Sequence, residues 1–199
     1  MGRAFLELYQ VTGDRVRLGH AEQAAGYLAA NFRSRDAGFL TTKAPTDPAY
    51  APLPERDENI MAARFLNLLA AYTGKPAYRD ATNHAMRYLA APQVAKELPT
   101  GGVLLANLEA STAPLHITVV GPKDSPAARA LFMAANAYPS DYKRVEWWDA
   151  RTGPLPNADV QYPQRPEPAA FICTGNSCSS PISKPEEIRP RVERLKARQ

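Results

Sequence analysis

A repeated segment constrains the fold of this chain more than any other feature. Thr12-Gly13 recurs as Thr73-Gly74, and Tyr27-Leu28-Ala29-Ala30 recurs as Tyr88-Leu89-Ala90-Ala91 at the same offset. Each copy predicts a helix, a Thr-Gly turn and a second helix. Helical units of this kind bury their apolar faces only by stacking on neighbouring units. Two copies barely make an array, so the sequence predicts the C-terminal part of a larger helical array.

The helical part, residues 1–113, is predicted to contain two helical hairpins and one further helix. The predicted spans are 3–11, 17–32, 57–72, 76–91 and 102–110. Helix 57–72 is apolar on most sides, whereas helix 76–91 is amphipathic. This alternation is typical of the inner and outer layers of an α/α toroid or an α-solenoid. We therefore expect 57–72 to be the most buried helix, in a partial α/α toroid.

A small α/β unit is predicted for residues 114–199. A strand at 115–120, a helix from Pro126 capped by Asp124 or Ser125, and a strand at 144–148 predict a parallel crossover. The segments 169–173 and 178–182 predict a hairpin around a four-residue loop. A capping box at 183–186 predicts the start of a final helix. The whole chain is thus predicted to be α+β and mainly α.

Composition excludes several classes of protein. The net charge is +4 and the basic residues are mostly scattered, which does not favour nucleic-acid binding. No apolar run approaches the ~20 residues that span a bilayer, and the N-terminus does not resemble a signal peptide. Only two cysteines are present. These observations predict a cytoplasmic protein that does not bind membranes and whose thiols are reduced.

The tail of the chain, residues 114–199, resembles a known family. The residues that carry the resemblance are Leu115-His116-Ile117-Thr118-Val119-Val120-Gly121, then 170–175, Cys178 and Pro181. They resemble the C-terminus of the DUF255 proteins, which are spermatogenesis-associated protein 20-like, thioredoxin-domain-containing proteins. Residues 57–91 resemble the last hairpins of that family's six-hairpin-glycosidase-like toroid.

This resemblance implies the C-terminal third of such a protein, acting as a structural or interaction module without independent catalysis or a cofactor. Because the chain has no Cys-x-x-Cys motif, the family's redox activity is not implied. The implied partner is the N-terminal part of the toroid, or a second copy of the chain. Apolar residues of the first helix, Phe5, Leu8 and Val11, are expected to lack a packing neighbour.

A second function follows from the similarity of the toroid half to N-acylglucosamine 2-epimerases, which bind sugars in a central cavity. This similarity implies Asp57 and Glu58 as candidate catalytic residues, and Asn59 and Arg64 as candidate substrate-binding residues. However, adjacent helical side chains point ~100° apart, which argues against a catalytic pair. Acidic residues at this position also complement the positive end of the helix dipole.

A third function is thiol redox chemistry at Cys173 and Cys178, which flank the predicted hairpin loop. The spacing permits a disulfide if the geometry fits, or thiol exchange. The alternative is that two small apolar side chains pack within a hairpin. Zinc takes about four ligands and no further Cys or His pair is present, so no metal site is predicted.

Two other groups of residues are given structural interpretations. His20, His84 and His116 are isolated in the sequence and are predicted to be surface residues. Gly121-Pro122-Lys123-Asp124 connects a strand to a helix and lacks the glycine pattern of a nucleotide-binding loop. It is therefore predicted to be an ordinary turn.

Overall fold

The computed structural model describes residues 1–43, 51–174 and 177–197, with the side chain of Ser177 left out. The fold is α+β and divides into two compact units. The helical unit comprises Met1–Leu6 and Arg15–Thr112, and the sheet unit comprises Glu7–Asp14 and Ala113–Gln199. No helix in the described ranges is both long enough and apolar enough to cross a lipid bilayer.

Six helices precede the sheet. They are α1 Gly2–Thr12, α2 Arg15–Phe32, α3 Arg56–Thr73, α4 Pro76–Leu89, the short α5 Pro92–Ala95, and α6 Gly101–Ser111. Helix α3 packs against α2, α4 and α6 and is therefore central to the helical unit. Eleven of its residues are buried, more than in any other helix, which confirms the prediction for 57–72. Of these six helices, only α5 was not predicted from the sequence.

The repeated Thr-Gly pair ends a helix in both copies. Gly13 and Gly74 have φ values of 64° and 67°, a left-handed conformation that glycine adopts without steric cost. The Gly13 N–H donates to Tyr9 O at 2.7 Å, and the Gly74 N–H donates to Ala70 O at 2.8 Å. The Thr-Gly part of the repeat therefore corresponds to a repeated helix C-cap.

The first helix only partly follows the exposure prediction. Leu8 and Val11 are 44% and 54% exposed, as expected for residues without a packing neighbour. Phe5 is partly buried, because its ring contacts that of His20 at a centroid distance of 5.1 Å. The prediction was therefore wrong for Phe5 and correct for the other two residues.

The sheet unit contains a mixed sheet with the strand order β2-β1-β3-β4. Its strands are β1 Leu115–Val120, β2 Lys143–Trp148, β3 Ala169–Thr174 and β4 Ser177–Cys178. Strands β1 and β2 are parallel and are joined through α7, Pro126–Ala137, as the crossover prediction required. The β1–β3 and β3–β4 pairs are antiparallel.

The end of the chain departs from the prediction in two places. The β3–β4 pairing extends to Thr174 and Ser177, so the predicted four-residue loop is shorter; Gly175 and Asn176 lie outside the described residues. The predicted capping box was wrong. A 3₁₀ turn at Pro185–Glu187 precedes α8, Ile188–Lys196. The N-cap of this turn is Lys184, which makes no side-chain capping hydrogen bond.

Alternation along the strands gives the sheet two different faces. One face carries apolar residues such as Ile117, Val145 and Ile172, which form a core cluster with residues of α7 and α8. The other face carries Phe171 and Cys173, against which Trp148, Val160 and Tyr162 pack. The candidate site described below lies on this second face.

Candidate functional site

The two cysteines form a disulfide between β3 and β4. Cys173 and Cys178 are direct partners in the antiparallel register, and their Cα atoms lie 4.1 Å apart. This pairing brings the sulfurs together. The prediction that both thiols are reduced was therefore wrong. Strand β4 is at the edge of the sheet. As a result Cys178 is exposed, whereas Cys173 is only 2% exposed.

The hydroxyl of Tyr162 contacts the buried sulfur. Its oxygen lies 3.6 Å from Cys173 Sγ and donates a hydrogen bond to Thr118 Oγ1 at 2.8 Å. Thr118 Oγ1 is in turn 2.9 Å from His116 Nε2. Burial raises the pKa of Tyr162, so its hydroxyl keeps its proton at neutral pH and can act as a donor.

An ion-pair cluster lies next to this hydroxyl chain. Glu146 Oε2 is 3.3 Å from His116 Nε2 and 2.6 Å from Arg144 Nη2, although the Arg144 N–H is not directed for a hydrogen bond to that oxygen. Arg144 also pairs with Asp159 at 2.6 Å. The side chains of Arg144 and Glu146 are at most 3% exposed. Their pairing therefore balances the charge of a carboxylate in the interior of the unit.

This cluster was not foreseen, although the sequence contained a signal for it. Polar residues alternate with apolar ones in both strands, as His116 and Thr118 in β1 and as Arg144 and Glu146 in β2. Such spacing places them on one face of the sheet. The sequence does not show that Tyr162, from a proline-rich segment, covers that face.

The four residues implied by the sugar-binding similarity do not converge on one site. Asp57 is exposed and pairs with its neighbour Arg56 at 3.4 Å, and Glu58 is exposed. Asn59 is fully buried: it accepts from Phe39 N at 2.7 Å and donates to Phe39 O at 2.9 Å. Asn59 therefore holds the segment after α2 against α3.

Arg64 is also engaged within the helical unit. Its guanidinium makes two hydrogen bonds to the carboxylate of Glu109, at 2.9 and 2.8 Å. Glu109 lies on α6 and its side chain is 1% exposed, so the pair connects α3 to α6. This contact accounts for Arg64 without a substrate. Its substrate-binding role, like the roles of Asp57, Glu58 and Asn59, stays a prediction.

The prediction that the histidines are surface residues was wrong for two of the three. His84 is 2% exposed, with Nε2 2.8 Å from Gly38 O, and His116 is 7% exposed within the cluster above. His20 is partly exposed. Both buried rings have polar partners, which allows imidazole to be buried without a large penalty.

The turn after β1 binds an anionic group of the protein itself. The Lys123 N–H donates to Asp149 Oδ2 at 2.9 Å. Hydrogen bonds from Arg151 hold the pKa of Asp149 well below its ordinary range. The turn therefore has its anion supplied internally, in agreement with the structural interpretation. Among the residues in the described ranges, no group of His, Cys, Asp and Glu is arranged to hold a metal ion.

The helical unit contains an open apolar cavity of about 650 Å³. Its lining includes Phe5, His20, Tyr27, Leu28, Phe32 and Phe65. The Nδ1 atom of His20 is buried and makes no hydrogen bond to any described residue. A cavity of this size and character falls in the range of binding sites for apolar groups.

Helix α6 presents a second apolar surface in the same unit. Its residues Val103, Ala106 and Glu109 are buried. On other sides of the helix, Leu104, Leu105 and Leu108 are 63%, 39% and 57% exposed. We call these three residues the leucine face. Exposed leucines grouped on one helix are unusual in a monomer, where large apolar patches mark interaction sites.

Comparison with known protein families gives no match, and comparison with curated proteins gives none either.

Proposed function

We propose that this chain corresponds to the C-terminal part of a DUF255, spermatogenesis-associated protein 20-like thioredoxin-domain-containing protein. In this proposal the helical unit is an interaction module that docks further helical hairpins of an α/α toroid. The observation that carries the docking role is the leucine face of α6, and the family assignment rests on the resemblance of the tail.

The burial pattern of α6 supports a helical partner. Val103 and Ala106 are buried, while the leucine face remains in solvent. A helix that is apolar on more than one side is normally covered on more than one side. In stacked helical repeats the neighbouring repeat provides that cover. The matching partner is therefore an amphipathic helical hairpin with its apolar stripe turned toward α6.

The open cavity supports the same role. Most of its lining is apolar and comes from α1, α2 and α3, and Tyr27, one of the lining residues, is 56% exposed. Apolar side chains of a neighbouring hairpin would fill it. By contrast, the carbohydrate alternative has little support, because Asn59 and Arg64 direct their polar groups to partners within the unit.

Sedimentation velocity across a range of protein concentrations tests the docking role. Without its hairpin partner, the protein should self-associate through the leucine face as concentration rises. The double variant Leu104→Glu/Leu108→Glu should remain monomeric, because charges on this face cannot be buried cheaply. Met133→Glu is the matched control: Met133 is 65% exposed on α7, close to the 63% of Leu104, and should behave as wild type.

Binding of an apolar fluorescent dye provides a second measurement on the same variants. The double variant should bind less dye than wild type, and Met133→Glu should bind about as much, with far-UV circular dichroism confirming that each is folded. A wild-type protein that stays monomeric throughout and binds no more dye than the double variant would overturn the proposal.

A further inference from the structure

We propose that the Cys173–Cys178 disulfide is a thiol–disulfide exchange site for dithiols, in which Cys178 is the sulfur attacked and Cys173 is the sulfur that leaves. This activity goes beyond the docking role and is independent of it. It concerns the sheet unit, whereas the docking role concerns the helical unit.

The two cysteines differ in exposure to solvent. Thiolate attack on a disulfide requires access to one sulfur along the axis of the S–S bond. Cys178 is exposed on the edge strand, whereas Cys173 is 2% exposed and packs beside Phe171 and Tyr162. Cys178 is therefore the more accessible of the two cysteines to an incoming thiolate.

A hydrogen-bond donor lies beside the sulfur that would leave. A thiolate buried among apolar groups is unfavourable unless a hydrogen bond or a charge stabilises it. Tyr162 Oη lies 3.6 Å from Cys173 Sγ, within reach of a sulfur acceptor. Its present acceptor is Thr118 Oγ1, which also contacts His116 Nε2. The hydroxyl can therefore turn from Thr118 to the new thiolate without leaving Thr118 unpaired.

Backbone hydrogen bonds keep the chain that follows β4 attached to β3 after reduction. Ser179 N donates to Ile172 O at 2.8 Å, and Ile172 N donates to Ser179 Oγ at 3.2 Å. Further along, Ala170 and Ile182 exchange backbone hydrogen bonds at 2.8 and 2.9 Å. These bonds hold the chain after Cys178 against β3 independently of the sulfurs. The cysteines are only five positions apart, so the closed loop restricts the unfolded chain little.

The exchange proceeds in two steps. A thiolate of the dithiol attacks Cys178 Sγ, forming a mixed disulfide and breaking the protein disulfide, so that Cys173 leaves with the electron pair as a thiolate. The second thiolate of the dithiol then attacks the first sulfur of the dithiol, which is bonded to Cys178 in the mixed disulfide. Cys178 is released as a thiolate. Both cysteine thiolates take protons from the two thiols of the substrate by way of solvent. Two electrons have passed from the dithiol to the protein.

Reduction kinetics of the folded wild-type protein test the proposal directly. With dithiothreitol as the probe, the rate should rise linearly with thiol concentration and circular dichroism should remain native. A purely structural disulfide would instead be limited by opening of the fold, giving a rate that levels off. That saturation, or a requirement for denaturant, would overturn the proposal.

Single-cysteine variants test which sulfur is attacked. In Cys173→Ser, the remaining Cys178 should react with an aromatic disulfide reagent more than about tenfold faster than Cys173 does in Cys178→Ser. Equal rates, or the reverse order, would contradict the assignment. If either variant fails to fold, mass spectrometry of the wild-type mixed disulfide trapped with glutathione identifies the attacked sulfur, and an adduct on Cys173 would overturn the assignment.

Tyr162→Phe tests the hydrogen bond to the leaving sulfur. Reduction by dithiothreitol should slow by about tenfold, the factor expected for loss of one hydrogen bond to a charged group. Tyr138→Phe is the matched control, since Tyr138 is 8% exposed in the core cluster on the opposite face of the sheet. Equal reduction rates in the two variants would show that the Tyr162 hydroxyl takes no part.

Discussion

The two units of this protein differ in the side chains that each places in an energetically unfavourable environment. The helical unit leaves Leu104 and Leu108 in solvent, while the sheet unit buries ionised groups such as Arg144 and Glu146. Apolar side chains in water are stabilised by a partner, whereas buried charges need partners already in place. The helical unit therefore exposes apolar surface that a partner could cover, whereas the buried charges of the sheet unit are paired within the unit itself.

Both units nevertheless contain an arginine paired with a buried carboxylate. In the sheet unit the pair is Arg144–Glu146, with side chains 3% and 0% exposed. In the helical unit it is Arg64–Glu109, with side chains 27% and 1% exposed. Water can therefore reach Arg64, whereas it hardly reaches Arg144.

Removing each arginine is the strongest way to test this contrast. Arg144→Met should lower the free energy of unfolding by about 3–5 kcal/mol, because Glu146 stays buried and loses its arginine partner. Arg64→Met should cost less, since water can approach Glu109 once the side chain is shortened. Urea unfolding measures both losses, and an equal or larger loss for Arg64→Met would contradict the contrast.

Two spectroscopic signals distinguish unfolding of the sheet unit from unfolding of the helical unit. The only two tryptophans of the chain, Trp147 and Trp148, lie on β2, so their fluorescence follows the sheet unit. Far-UV circular dichroism follows mainly the helices. Arg144→Met should shift the fluorescence transition, and Arg64→Met should shift the circular dichroism transition.

A smaller effect is expected at Asn59, which distinguishes a structural role from sugar binding. Asn59→Ala removes hydrogen bonds to Phe39 and Glu55 and leaves the Phe39 N–H without its acceptor. This change should lower the free energy of unfolding by about 1–3 kcal/mol. The adjacent Asp57→Ala is the control and should change stability by less than about 0.5 kcal/mol, since Asp57 is exposed. A neutral Asn59→Ala would reopen the substrate-binding prediction.

Most helices and strands could be predicted from the sequence, because local patterns determine them. The 3.6-residue periodicity gave α1 to α4, and the β-branched run 115–120 gave β1. The capping box failed because Pro185 and Glu186 form a 3₁₀ turn instead of the first turn of an α-helix. Capping depends on the local backbone conformation, which a four-residue pattern does not determine.

The candidate site was less predictable, since its members come from distant parts of the chain. Cys173 and Cys178 were recognised from their spacing. His116 and Tyr162, by contrast, are 46 residues apart and meet only because a proline-rich segment covers one face of the sheet. Sequence periodicity gives the face on which a residue lies, but it does not show what packs against that face.

A change of about 1 kcal/mol is expected at the start of α7. Ser125 is the N-cap, and its hydroxyl accepts a hydrogen bond from Ala128 N at 3.3 Å. Ser125→Ala should therefore lower the free energy of unfolding by about 1 kcal/mol. Ser125→Asp should retain most of the wild-type stability, because aspartate is also a good N-cap residue. The tryptophan fluorescence transition is the measurement. Equal stability of the alanine and aspartate variants would show that the cap contributes nothing.

The smallest effect concerns pH and His84 in the helical unit. Burial, followed by the charge of Arg33, lowers the pKa of His84 below its ordinary value of 6.5. The geometry agrees: Nε2 lies 2.8 Å from Gly38 O and so carries the proton, while Nδ1 accepts from Arg87 at 3.0 Å. A second proton would have to enter at Nδ1, facing the Arg87 guanidinium.

The sign of the pH effect follows from this arrangement. Below the ordinary value of 6.5 the unfolded chain binds a proton that the folded protein does not, so the free energy of unfolding falls as pH falls from 6.5 toward the lowered pKa. His84→Gln cannot take up this proton, and its stability should depend less on pH across that window. Urea unfolding followed by circular dichroism at several pH values measures the difference. Parallel pH profiles for the two proteins would show that His84 does not couple folding of the helical unit to protonation.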